Sequence, residues 1–271
     1  VEDGHALLFC KLCGERAIPF QASQPMTRKA RERQEAIARP YELKEALLYP
    51  FRGLGLYLFI ATCLVLPVIY LIKNFSCFGF FVGLAFTGLI IGIQFKIIRS
   101  TAEGDNELPD WPDYMAISEM VMDVLTYLLI MVLGYGPLGV YLAVFGPAAL
   151  LREEPSLVFW AGFSVLLWLG TALVVMAWGA AGCYDRVDAF YVHVHGKAFL
   201  WAGRDAVVIT NLIFGLQILT LVLQVMLGRA LPIVGSALAG ILGLYWTLTS
   251  PHLIGVLFRR HRPVMDALYE G

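Results

Sequence analysis

Charge is what this sequence has least of: Asp, Glu, Lys and Arg make up 15% of its 271 residues, where a soluble domain carries about a quarter. Apolar residues make up 59% and the mean hydropathy is +0.71. A water-soluble globule is excluded. The formal net charge of −1 gives no bulk attraction for nucleic acid, and none is expected as a partner. Catalytic spacings are missing as well. There is no His-Glu-x-x-His, and no membrane Gly-x-Gly-Asp that Tyr184-Asp185 could join in intramembrane proteolysis. Ser236 and His252 stand on one apolar run about 24 Å apart at 1.5 Å per residue, so they form no dyad within a chain. The expectation is a non-enzymatic protein.

What is present in quantity is long apolar sequence. Crossing roughly 30 Å of hydrocarbon takes about 20 uncharged residues. Six stretches free of Asp, Glu, Lys and Arg qualify: 53–72, 74–95, 124–151, 155–184, 206–228 and 230–258. Lipid cannot satisfy backbone polar groups, so runs of this length predict α-helices, and the alternation of a membrane barrel is absent. About 50 mostly polar residues precede the first run, which is therefore not a cleaved signal peptide. The third run contains Gly134-Tyr135-Gly136-Pro137-Leu138-Gly139. Its 28 residues make about 42 Å, too long for one upright span, and a kink or short half-helix at Pro137 is predicted. With six spans and a cytoplasmic N-terminus, Lys and Arg divide 17 inside to 3 outside, whereas splitting the third run changes this to 13 to 7. The positive-inside rule therefore predicts six spans with both termini in the cytoplasm.

The segment 1–22 holds Cys10-Lys11-Leu12-Cys13-Gly14. Two thiolates at this spacing reach one Zn²⁺. Only His5 is near, so the motif is half of a zinc ribbon, with structural zinc the expected cofactor and a pair of reduced thiols the alternative. Residues 23–50 read as a basic tether, then a short helix that either lies on the membrane surface or extends the first span. A six-helix transmembrane domain over 51–262 and a cytoplasmic tail over 263–271 complete the organisation.

The acidic loop Gly104-Asp105-Asn106-Glu107-Leu108-Pro109-Asp110-Trp111 lacks EF-hand spacing and reads as an interfacial loop anchored by Trp111 and Tyr114. It resembles the Gly-Asp-x-Leu-Pro-Asp/Glu-aromatic loop of a family of uncharacterised prokaryotic multi-span membrane proteins, some preceded by zinc ribbons. One inserted residue is its departure. His252-Leu253-Ile254-Gly255, followed by Arg259 and Arg260, is similar to that family's last span. The resemblance covers residues 45–262 and implies a fold and a place in a prokaryotic cytoplasmic (inner) membrane without supplying chemistry.

Candidate sites inside the membrane are few. Asn211, Gln217, Thr220 and Gln224 form a polar seam on the fifth run, the last three sharing a face, which either meets another helix or lines a solute path. His193 and His195 would point to one side of an extended segment, a spacing metal sites use, though two ordinary surface histidines are the simpler reading. His252 is a candidate cofactor or proton site, or a histidine bonded to a neighbouring helix. Small residues at four-residue steps (Gly79 and Gly83, Gly88 and Gly92, then Gly235, Ala239 and Gly243) predict close helix packing. The expectation is an all-α polytopic membrane protein with a zinc-ribbon-like N-terminus, serving as a subunit or organiser that docks other membrane protein subunits. A small-solute transporter or channel is the first alternative. A cofactor-carrying subunit of an electron-transfer or light-driven complex is the second.

Overall fold

The computed structural model describes residues 8–9, 16–17, 47–52, 55–57, 59–61, 63–64, 77–105, 109, 117–150, 156–230 and 232–269. Cys10, Cys13 and most of the acidic loop lie outside them, as do the side chains of Gln224 and Ala239 and the surroundings of Gly79, Gly83 and Gly235. The chain forms two compact units, Val1–Arg39 and Pro40–Gly271. In the first, β1 (Leu8–Phe9) pairs antiparallel with β2 (Arg16–Ala17), Leu8 opposite Ala17 and Phe9 opposite Arg16.

The second unit is helical. A 3₁₀ turn at Tyr49–Phe51 precedes α1 (Cys77–Ala102), α2 (Ile117–Leu150) and α3 (Leu157–Cys183). A second 3₁₀ turn, Arg186–Phe190, leads to α4 (Val192–Ala230), α5 (Pro232–Arg260) and α6 (Arg262–Tyr269). Among the described residues, four segments are long and apolar enough to cross a membrane: Val121–Gly146, Leu157–Cys183, Val192–Leu223 and Gly240–Arg260. The second unit is thus an all-helical, membrane-embedded bundle whose apolar helices meet lipid.

Of the kink and the half-helix predicted at Pro137, the half-helix is absent, because helix α2 continues for 34 residues through it. Proline there removes one backbone donor, a loss that membrane helices tolerate. The break falls in α4, at Gly203, whose φ of 52° and ψ of −121° interrupt the helical path. That backbone geometry suits glycine because no Cβ meets the carbonyl. Residues 192–202 are thus a separate short helix ahead of the apolar span. The stretch 263–269, read as a tail, is the helix α6, with Met265 fully buried against the bundle.

Helix α3 occupies the centre and touches α1, α2, α4 and α5. Its C-terminal half is buried almost without interruption from Gly170 to Gly182, while Leu157, Val158, Trp160 and Leu169 of its N-terminal half are exposed. Small residues make this possible. A Cβ on Gly179 would enter the Phe258 ring of α5, one on Gly182 would lie 2.7 Å from the Ile98 side chain of α1, and one on Gly170 would lie 2.7 Å from the Gly134 carbonyl of α2. The α1–α5 crossing is equally tight: a Cβ on Gly255 would sit 2.7 Å from the Ile98 carbonyl. These are not the glycines that four-residue spacing picks out. Gly88 and Gly92 are buried, but a Cβ on Gly243 would meet nothing within 4 Å among the described residues.

Candidate functional site

The C-termini of α1, α3 and α5 and the N-termini of α2 and α4 gather at one end of the bundle, which carries most of its described charge. The connection after α3 builds that end. Asp185 caps the 3₁₀ turn, accepting from the Val187 N–H, and Asp188 accepts from the Asp185 N–H in return. Arg186 then reaches Asp123 of α2, Nη2 lying 2.6 Å from Oδ1. Asp205, just past the Gly203 break, pairs with Arg260 Nε at 3.2 Å and with His261 Nε2 at 3.0 Å. Each pair is partly exposed and contributes up to about 1 kcal/mol.

Helix α6 closes the same end. His195 is buried, and its Nε2 lies 2.9 Å from the Ala189 carbonyl, which can only accept, so Nε2 carries the proton. Nδ1 therefore accepts from the Tyr269 hydroxyl at 2.8 Å. Tyr269 stacks on Tyr184, whose hydroxyl donates to Asp266 at 2.7 Å. Burial, with the Asp188 charge nearby, pushes the Tyr269 hydroxyl above the ordinary phenol value. Next to this clasp lies a polar cavity of about 60 Å³ lined by Arg99, Glu103, Cys183, Tyr184, Arg262 and Asp266. Its two arginines face two carboxylates, and Arg99 Nε already donates to the Gly182 carbonyl, so the lining is balanced for closure rather than for one sign of ligand.

A second polar cluster sits inside the bundle. Thr101 Oγ1 of α1 lies 3.0 Å from His252 Nδ1 of α5, and the Tyr49 ring stacks on the imidazole at 3.9 Å between centroids. The Tyr245 hydroxyl donates to the Leu47 carbonyl at 2.8 Å, docking the segment before the first apolar run onto α5. Burial raises the Tyr49 hydroxyl above its ordinary value, and its hydrogen bond to Thr101 opposes this. One turn away, Pro251 has no N–H for the Thr247 carbonyl, and Gln94 Nε2 of α1 donates to that oxygen at 3.2 Å.

The polar seam on α4 resolves into three different uses. Gln217 Nε2 donates to the Tyr135 hydroxyl of α2 at 3.3 Å, and its Oε1 lies 3.3 Å from Thr171 Oγ1 of α3, whose one proton is shared with the Leu167 carbonyl at 2.9 Å. Tyr135 and Thr171 are themselves 3.2 Å apart, which closes a triangle between three helices. Asn211 Oδ1 accepts from Trp168 Nε1 at 2.7 Å on the outer side of α3, and Thr220 donates back to the Leu216 carbonyl of its own helix.

The histidine pair is corrected. Residues 193–195 are helical, so positions two apart lie on opposite sides. His193 is exposed while His195 is buried in the clasp with both nitrogens engaged. Among the described residues no group of three or more His, Cys, Asp or Glu side chains is placed to hold a metal ion. Reasoning from sequence missed the clasp, although Met265, Leu268 and Tyr269 at i, i+3 and i+4 carry the signal of a helix with one apolar side. It also missed Gln94, which the carbonyl orphaned by Pro251 calls for. No family model, curated protein or solved structure matches the chain.

Proposed function

We propose that the chain is a non-enzymatic membrane subunit or organiser that docks partner proteins through helix packing and its cytoplasmic segments. The observation that carries this reading is the Tyr135–Thr171–Gln217 triangle, in which Gln217, one of the residues that could line a solute path, is bonded instead to side chains of two other helices. Groups used in this way hold helices in register and offer nothing to a passing solute.

The finer architecture belongs to the same proposal. Six spans are supported by the 26-residue apolar helix α1 and by the uncharged run 53–72 before it, added to the four spans already described. The 17-to-3 division of basic residues supports an inner-membrane protein with both termini in the cytoplasm. A zinc-ribbon-like N-terminus is supported by the β1–β2 ladder on either side of the six residues 10–15, which include Cys10 and Cys13, the arrangement of a metal knuckle on a hairpin.

The test is purification of the full chain from its native membrane in mild detergent, compared with a chain lacking residues 1–39. Partner subunits at fixed stoichiometry that are lost with the N-terminal unit are expected. A full chain that purifies alone and moves solute across reconstituted vesicles, with flux abolished by Gln217→Leu, would overturn the proposal in favour of transport.

A further inference from the structure

The helix 192–202 has a burial pattern that a soluble protein would avoid. Its inner side holds His195, Ala198 and Ala202, all buried, with Val194 and Phe199 partly so. Two adjacent i, i+4, i+8 rows form the outer side: Val192, Gly196 and Leu200, beside His193, Lys197 and Trp201. All six are exposed, Leu200 at 79% and Trp201 at 70%, and Phe190 and Tyr191 just before the helix add two more exposed aromatics. The protein therefore presents large apolar groups at its charged end, where the ion pairs described above also stand.

The cations on this surface are uncommitted. Among the described residues neither Lys197 nor Arg204 has an ion-pair partner, whereas the nearby acids are engaged, Asp185 and Asp188 in capping and Asp205 with Arg260 and His261. Position is fixed as well. The inner side is held by the His195 bonds to Tyr269 and Ala189, and the Gly203 break joins the helix directly to a membrane span. The helix is held against the bundle and does not continue along the axis of the helix that follows Gly203.

From this juxtaposition of exposed Leu200 and Trp201 with unpaired Lys197 and Arg204 at the elbow before a span, we infer that helix 192–202 lies in the headgroup layer and binds anionic phospholipid. Leucine and tryptophan enter the boundary between headgroups and acyl chains, where an aromatic ring with one polar edge is favoured. Lys197 and Arg204 meet lipid phosphates. Each cation near an anionic surface changes affinity by about fivefold, so the pair contributes about thirtyfold at moderate salt.

The full chain, reconstituted into nanodiscs of phosphatidylcholine alone or with phosphatidylglycerol, provides the test. Trp201 emission, taken as the difference between wild type and Trp201→Phe, should be quenched by lipids brominated near the headgroup end of the acyl chain. Phosphatidylglycerol retained per chain after extraction should fall by at least tenfold in Lys197→Gln/Arg204→Gln and stay near wild type in Lys197→Arg/Arg204→Lys. Should the glutamine variant fail to fold, the quenching measurement and the salt dependence of retained lipid in wild type carry the test. A Trp201 signal quenched by aqueous iodide but not by brominated lipid would overturn the inference and make the face a protein-docking or solvent surface. Retention indifferent to both salt and the glutamine pair would overturn it equally.

Discussion

Gln94→Leu tests whether one side chain stands in for a missing backbone donor. Gln94 is buried, and its amide donates at 3.2 Å to the Thr247 carbonyl, which in an unbroken helix would accept from the N–H of residue 251. Leucine fills a similar volume but leaves that carbonyl unsatisfied among apolar neighbours. An orphaned buried acceptor costs about 1–3 kcal/mol, and side-chain hydrogen bonds within membranes average about 0.6 kcal/mol. The expected loss for Gln94→Leu is thus about 1–2 kcal/mol. Pro251→Ala restores an N–H for Thr247 and makes the glutamine redundant, so Gln94→Leu in that background should cost no more than about 0.5 kcal/mol, a coupling of about 1 kcal/mol. Reversible unfolding in mixed detergent micelles, run on both single variants and the double, measures this cycle. Equal costs for Gln94→Leu in the two backgrounds would refute the substitution of side chain for backbone.

Three further outcomes follow from the packing and the clasp. Gly179→Ala, which drives a methyl group into the Phe258 ring, should destabilise the bundle by about 1–3 kcal/mol, while Gly243→Ala, with open space around it, should leave monomer unfolding within about 0.5 kcal/mol of wild type. Gln217→Leu should lower stability by no more than about 1 kcal/mol, since Tyr135 and Thr171 can still bond to each other; a larger loss on thermal unfolding would mean that the triangle does more than join helices. Tyr269 has a folded-state pKa above the ordinary 10.0, so the unfolded chain releases its proton first and stability should fall as pH rises above about 10. Tyr269→Phe should lower stability at neutral pH by about 1 kcal/mol and flatten that alkaline decline, read from thermal unfolding across pH.

The sequence carried the existence of the helices far better than their faces. Runs without charge must be helical in lipid, and α2, α3 and the spans of α4 and α5 lie where such runs stand. Which side of each helix is buried was not legible, because lipid and protein interior select the same side chains. Helix α3 shows the difficulty. Val158 and Val175 are the same residue type, one exposed to lipid and the other in the core, and only the small run Gly179-Ala180-Ala181-Gly182 hints at the difference. The seam on α4 was visible as polar residues, but its role depended on Tyr135 and Thr171, each unremarkable within its own helix. Helix 192–202 was hidden because Asp188, Lys197 and Arg204 leave no long uncharged run there, and a charge count reads such a stretch as a loop.

The clasp of α6 orders the events of synthesis. His195 and Tyr184 are made about 70 residues or more before Tyr269 and Asp266, the groups that complete their hydrogen bonds. By the time Tyr269 leaves the ribosome, α1 to α5 are already made, and His195 Nδ1 still lacks the hydroxyl from which it accepts. A chain cut short after α5 would keep every apolar span yet expose the ground that Met265 covers, offering proteases a loosened end at the membrane surface. Closure of this end of the bundle thus waits for Tyr269, although every described span is made before it.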